Sequence, residues 1–450
     1  MSRVALIGEN SIGYVDTLIK IWNNMDCAVL LDWRIPFSTA IEMMIEADVH
    51  TCFIEKGIFN KLENEIPDSI NFVTYEKQNS SAVLLPSYIY EKFHENYSRS
   101  EAAVIYSSGT TGKSKGIILS HFAINTNADA IIDYMKPTSE DCIYIAKTLS
   151  HSSTLTGELL VALKTKMKLV IAPIIVPPRY ILNNIKKFSV TMICINPTLQ
   201  NLLMTELNQN NKYDISSLHN IYVHGAKAAR NNCELAKKIF STSSVHYEYG
   251  LSEAGPRVAT QKLGAKQIDS VGKPILGVEV AVINEHEKVV DKERRGIIHV
   301  KTPSIYKGYI KGSYKFKSLY KGWLNTGDIG YWDEYGELHI DGRIDDMINI
   351  DAHKIHPNDI EQHIINIMKV KECVVMKVQI DGKDTIGCLY VSNELITGAS
   401  KKVLSSILMV YETPKIYIKV DKLPRTMNGK ISRVEAEKIM FAILNTNFPK

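Results

Sequence analysis

The sequence predicts an α/β protein: a large N-terminal domain of parallel-sheet α/β subdomains plus an antiparallel β subdomain, then a small α+β domain at the C-terminus. Three observations carry that expectation. Short β-branched runs alternate with longer amphipathic segments through the first two-thirds of the chain, and such alternation builds parallel sheets covered by helices. From about residue 270 the pattern turns to strand–turn–strand, the mark of antiparallel pairing. A fresh helix–strand pattern starts soon after Asp345, and 450 residues exceed what one hydrophobic core holds.

The buried strands are expected at 4–8, 27–32, 51–55, 103–108, 168–174, 190–196 and 220–225, each a short apolar run rich in Val and Ile. Between them, 14–24, 36–47, 121–134, 155–166, 197–207 and 230–240 carry helical spacing. In the β subdomain, VEVAVINEHEKVV, GIIHVKTPS and GYWDEYGELHIDG read as strand pairs, with Asp333 to Gly336 as one turn. The last region reads as a helix at 357–368, strands near 371–378 and 384–391, a helix at 400–410, a strand at 415–420 and a final helix at 432–444. The domain boundary is expected between 344 and 345.

Composition excludes several function classes. A formal net charge of +4 is small for this length and gives no reason to expect nucleic acid or an anionic membrane as partner. Cys27, Cys52, Cys142, Cys194, Cys233, Cys373 and Cys388 are scattered singly with no C-x-x-C pair, so neither zinc nor a disulfide framework is indicated. They read as small buried hydrophobes. The N-terminus turns polar too soon for a secretory leader, and the longest apolar stretch, 169–176, is interrupted by Pro173, well short of the ~20 residues a membrane helix needs. A cytoplasmic enzyme is the expectation.

The strongest chemical signal is YSSGTTGKSKG at 106–116, directly after an apolar strand. Ser107, Ser108, Thr110 and Thr111 bring hydroxyls, Gly109, Gly112 and Gly116 allow tight turns that expose backbone N–H groups, and Lys113 and Lys115 add charge. A helix beginning near Ser120 is expected to offer its positive end nearby. G-x-x-x-x-G-K-[ST] fits no register here, so this is a different phosphate loop from the common one. The segment resembles the phosphate loop of the adenylate-forming superfamily, which groups acyl- and aryl-CoA synthetases, nonribosomal peptide synthetase adenylation domains and luciferases. Ser114 stands where that family usually has proline.

Four further segments match the family in its own order, from YEYGLSEAG at 247–255 to LPRTMNGKISR at 423–433. The resemblance implies that Tyr249 faces the purine beside Gly250, Ser252 meets phosphate, and Glu253 holds Mg²⁺ through hard oxygen ligation. In LNTGDIGYWDEYGELHIDGR (324–343) it makes Asp328 the acceptor for both ribose hydroxyls and sets Arg343 on the ribose or phosphate edge. In GRIDDMINIDAHKIHPNDIE (342–361) it makes Asp345 the hinge about which a mobile small domain turns between two half-reactions. Lys430 would reach the acyl carboxylate and the α-phosphate, offsetting charge as the carboxylate attacks phosphorus. The implied reaction takes ATP, Mg²⁺ and a carboxylic acid to acyl-AMP, then passes the acyl group to the pantetheine thiol of coenzyme A or an acyl-carrier protein.

The implied acyl pocket is lined by LSHSSTLTGE (149–158), HGAKAAR (224–230, with Gly225 and Ala226) and HYEYG (246–250). His151 sits where acyl- and aryl-CoA synthetases often carry a histidine. Amino-acid-activating relatives place an aspartate in the first segment to pair the ammonium, and 149–158 has none, which disfavours an α-amino acid. Glu158, Lys227 and Glu248 read as walls of a polar pocket or as solvent-facing residues, Lys227 being a cation for a second carboxylate or a phenolate. Two departures stand against the family pattern: the chain opens on a strand–helix unit that is internal in most relatives, without the family's usual first few dozen residues, and Ala352 replaces the usual hinge glycine. A methyl group there is expected to slow thiol transfer selectively, and an Ala352→Gly variant with an unchanged second-step rate would remove that expectation. Rival readings are a stand-alone acyl-AMP former, a luciferase-like oxygenase and a degenerate paralogue that binds nucleotide without completing the thioester. Retention of Lys113, Glu253, Asp328, Arg343 and Lys430 weighs against the last.

Overall fold

The computed structural model describes residues 2–62, 66–107, 114–210, 212–226, 230–284, 289–310, 319–350, 353–380, 383–426 and 429–447. Ser108, Gly109, Thr110, Thr111, Gly112, Lys113, Lys227 and Ala352 lie outside these residues.

Two large sheets dominate. The first runs, in spatial order, Gly308–Tyr309, Lys115–Ser120, Glu101–Ser107, Cys27–Leu31, Arg3–Ile7, Thr51–Glu55 and Asn71–Tyr75. Its centre is parallel, with Arg3–Ile7 aligned on Cys27–Leu31 residue for residue. The fully buried pattern of CAVLL follows from helices covering both faces. The second sheet runs Lys273–Pro274, Ala259–Thr260, Ser244–Tyr249, Asn220–His224, Met192–Ile195, Cys142–Ile145, Lys168–Ile171 and Val83–Leu84. The edges are antiparallel, as at Glu248 opposite Thr260.

The antiparallel sheet groups Glu279–Ile283, Gly296–Lys301, Leu319–Tyr320, Trp323–Trp332 and Leu338–Arg343. Its expected turn is held by Asp333, whose Oδ1 accepts from the N–H groups of Tyr335 and Glu337. Beyond it, helix Pro357–Met368 packs on the paired strands Glu372–Ile380 and Lys383–Val391, with Ile416–Lys419 alongside. The apolar clusters of 348–444 are separate from those of 4–338 among the described residues. What joins the two parts is polar: Thr198 Oγ1 donates to Gly429 O at 2.7 Å, Asn231 to Asn366 at 2.8 Å, and Arg295 forks onto Asp359 at 2.7 and 3.0 Å.

Two expectations are corrected. Ser120 does cap a helix, His121–Met135, by accepting from Ala123 N. That helix starts at the far end of strand Lys115–Ser120, so its positive end lies about 17 Å from the loop at ~3.4 Å per residue and cannot stabilise phosphate there. The segment expected as one helix at 155–166 divides into a π-helix, Leu155–Leu160, and an α-helix, Val161–Thr165. The seven cysteines are all buried thiols.

Candidate active site

The site forms where strand ends meet the C-terminal part of the chain. Strands Cys142–Ile145, Met192–Ile195, Asn220–His224 and Ser244–Tyr249 run parallel in one sheet. Their C-terminal ends open onto a crevice of the kind α/β sheets use for ligands. Tyr249 and His224 are the last residues of their strands. Gly250 follows because the chain turns against the neighbouring loop: a Cβ there would sit 1.8 Å from Pro256 O.

Tyr249 reaches across to the antiparallel sheet and donates its hydroxyl to Asp328 Oδ2 at 2.5 Å. Asp328 and Arg343 are cross-strand partners, and their side chains approach to 3.6 Å. Among the described residues Arg343 Nε is a buried donor with no partner, and such a donor costs free energy until an acceptor arrives. A carboxylate, a guanidinium with a spare donor and a planar ring therefore frame a place fit for a sugar phosphate. The Tyr249 ring packs against the main core, and its hydroxyl reaches the site.

Lys430 comes from the C-terminal part. Its Cε lies 3.9 Å from where a Cβ on Gly225 would be, and Gly225 holds a positive φ of 99°. A side chain at 225 would be strained in that backbone region. Solvent still reaches Lys430, yet the surrounding protein holds its ammonium below the ordinary lysine range, with Arg343 adding to the effect and Asp328 opposing it. The loop is pinned by Arg425, which donates to Gly429 O at 2.9 Å and to Thr198 Oγ1 at 3.1 Å.

His151 lies beyond the end of strand Cys142–Ile145 and caps the short helix after it, its Nδ1 accepting from Ser153 N at 3.3 Å. The proton is thereby left on Nε2. Burial, with the charges of Lys147 and Lys430, pushes its pKa down to about 3, so the imidazole is neutral at physiological pH. Ser252 Oγ shares a hydrogen bond of 2.6 Å with Ser152 Oγ, and Glu253 Oε1 accepts from Tyr309 OH at 2.8 Å. Ala226 is exposed beside Gly225, and Asp345 sits in a short 3₁₀ turn, exposed. Ser107 ends the strand leading into the phosphate loop.

On the acyl-pocket side, burial removes one of the two readings the sequence left open for Glu158 and Glu248. Glu248 is not solvent-facing: it pairs with the fully buried Arg257 at 2.8 Å and accepts from Tyr134 and Thr260 at 2.6 and 3.2 Å. Glu158 is fully buried and lies 2.7 Å from Lys147 Nζ, which also donates to His224 Nε2 at 2.9 Å. Sequence reasoning missed Lys147, His224 and Arg257 as a group. The signal was there in part, since Lys147 precedes the pocket segment and His224 opens the next one.

With this geometry in hand, comparison with known proteins decides the family. The AMP-binding enzyme family model matches residues 1–310. The chain belongs to the AMP-binding enzyme family. This AMP-binding enzyme is 27% identical over 353 residues to an oxalate–CoA ligase of Arabidopsis thaliana, covering 75% of this chain and 67% of that protein. It is 27% identical over 353 residues to the 4-coumarate–CoA ligase CCL1 of Humulus lupulus, covering 74% and 63%. The chain thus spans about two thirds of the curated relatives it matches. Among solved structures, ATP-bound MatB from Rhodopseudomonas palustris superposes with a TM-score of 0.84 at 22% identity, covering 98% of this chain and 89% of that one. The AMP-binding enzyme shares that fold.

Asp328→Ala is expected to weaken AMP binding by about 1.5–3 kcal/mol, the worth of a hydrogen bond to a charged group. Titration calorimetry with AMP checks it, and an unchanged affinity would remove Asp328 from the nucleotide site.

Proposed function

We propose that this AMP-binding enzyme is an AMP-forming acid–thiol ligase. It activates a carboxylic acid other than an α-amino acid, then transfers the acyl group to the pantetheine thiol of coenzyme A or an acyl-carrier protein. The observation that carries this reading is Lys430, held over Gly225 with Asp328 and Arg343 acting on its charge. A nucleotide-binding protein without chemistry has no use for an ammonium at that point.

ATP supplies the adenylyl group and its pyrophosphate leaving group. Asp328 and Arg343 orient the ribose and α-phosphate, the loop 107–113 receives the outer phosphates, and Glu253 would hold Mg²⁺, which would offset charge on those phosphates. Lys430 stabilises the charge gathering between substrate carboxylate and α-phosphorus as the new O–P bond forms and pyrophosphate departs. In the second step the thiolate sulfur attacks the acyl carbon, the C–O bond to phosphate breaks, and AMP leaves. A thiol with a pKa of about 8.5 supplies enough thiolate at neutral pH. His151, neutral and fixed in its tautomer, lines the acid's path. The chain is read as residues 1–344 and 345–450 with Asp345 as pivot, and the enzyme as cytoplasmic. No helix among the described residues is long and apolar enough to cross a membrane.

The test is acid-dependent pyrophosphate release over aryl, short-chain, long-chain and amino acids, with and without coenzyme A. Release with one acid class and acyl-CoA as product supports the ligase; silence with every acid rejects it.

A further inference from the structure

The implied acyl pocket ends in charge. Lys147 follows strand Cys142–Ile145, and its carbonyl is tied by Asn10 Nδ2 at 2.7 Å, so the side chain starts from a fixed point. Its ammonium lies 2.7 Å from Glu158 and 2.9 Å from His224 Nε2. Glu158 is delivered by the π-helix Leu155–Leu160, a distortion that recurs at functional sites because it re-aims side chains. Behind this trio the Glu248–Arg257 pair closes the core. Glu158, Cys194 and His224 present donor atoms within 4.8 Å of one another, but the Lys147 ammonium already bonds two of the three and takes the place a cation would have.

The order of these groups matters. The Lys147 side chain keeps 14% of its surface and Glu158 keeps none. The crevice therefore meets the ammonium first, with the carboxylate behind it. An ammonium has three donors; two serve Glu158 and His224. An alkyl or aryl tail pressed on the third would strip its solvation without replacing it, which costs free energy. An incoming anion instead completes the set. His224, which Lys147 bonds, is followed directly by Gly225, whose missing Cβ would lie 3.9 Å from Lys430 Cε; neighbouring residues thus carry the contacts of both ammonium groups, and a short molecule would span them. Burial also pushes the Glu158 carboxyl up, against the pull of Lys147.

We infer that the acid is a short dicarboxylic acid, activated at the carboxylate beside Lys430 and held by Lys147 at the other. This rests on the ligase reading above. A substrate with a distal ammonium is disfavoured because Glu158 lies behind Lys147, out of its reach.

The experiment measures kcat/KM for pyrophosphate release with malonate, succinate and glutarate against monocarboxylates of matched length, with benzoate and palmitate beside them. One dicarboxylate is expected to exceed its matched monocarboxylate at least about tenfold, as sites built for a polar group reject analogues lacking it. Removing Lys147 alone would leave Glu158 buried without its partner, so the variant is Lys147→Met with Glu158→Gln, checked for folding by circular dichroism. The dicarboxylate-to-monocarboxylate ratio is expected to fall at least about tenfold in that variant and to recover in part with Lys147→Arg. Wild-type preference for a monocarboxylate or for benzoate, or a ratio unmoved in the variant, overturns the inference while the ligase reading stands. Silence with every acid, amino acids included, overturns both.

Discussion

Lys430→Ala is expected to lower acid-dependent pyrophosphate release by about 10²–10³-fold, the loss seen when one preorganised charge-stabilising donor is removed. The magnitude follows from where the ammonium sits. It comes from a loop pinned at both Gly429 and Thr198, so it need not be ordered when the reaction begins. The surrounding protein also holds its ammonium below the ordinary lysine range, so the charge is destabilised until negative charge develops beside it. The variant should keep its AMP affinity within a few fold, since Asp328, Tyr249 and Arg343 come from the other part of the chain. Single-turnover pyrophosphate release together with AMP calorimetry checks both halves. Near-normal release would break the mechanistic assignment, and joint loss of affinity and rate would make Lys430 a nucleotide-binding residue instead.

The second large effect is on stability. Arg257→Met should destabilise the fold by about 3–5 kcal/mol, because it leaves the Glu248 carboxylate buried without its counter-charge. Side-chain exposures of 1% for Arg257 and 0% for Glu248 leave no water to take over. Burial already pushes the Glu248 carboxyl up, with Arg257 the main opposing influence. The double variant Arg257→Met, Glu248→Gln should recover most of the loss, since glutamine keeps an acceptor for Tyr134 and Thr260. Urea unfolding of the two single variants and the double gives the coupling directly. Additive costs would mean that the pair contributes nothing as a pair.

The fold was legible where hydrophobic period and length agree. The buried runs VALIG and CAVLL, and the helix at 357–368, are present as expected. Strand Lys115–Ser120 was hidden because its register begins inside a loop motif and shares residues with it. Helix Pro178–Phe188 was hidden by the two prolines before Arg179, which read as a breaker although proline suits a first helical turn. In the site, residues carried by contiguous motifs could be named from sequence. Arg257 could not: it meets Glu248 through an antiparallel pairing of Glu248 with Thr260, and nothing local marks it as charged and buried. Lys147 and His224 are 77 positions apart, and only the parallel sheet brings their strand ends together.

The seam that carries Lys430 into the crevice has a further meaning. Among the described residues it is stitched by Thr198 to Gly429, Asn231 to Asn366 and Arg295 to Asp359, without a shared apolar cluster. Exposed polar links are worth about 0–1 kcal/mol each. These three sum to about 0–3 kcal/mol, a population advantage of at most roughly a hundredfold for this arrangement. The seam is therefore a latch instead of a weld. For the ligase proposed above, which would present one face to a phosphate and then admit a thiol, a closure of that strength is weak enough to be undone by the departure of pyrophosphate.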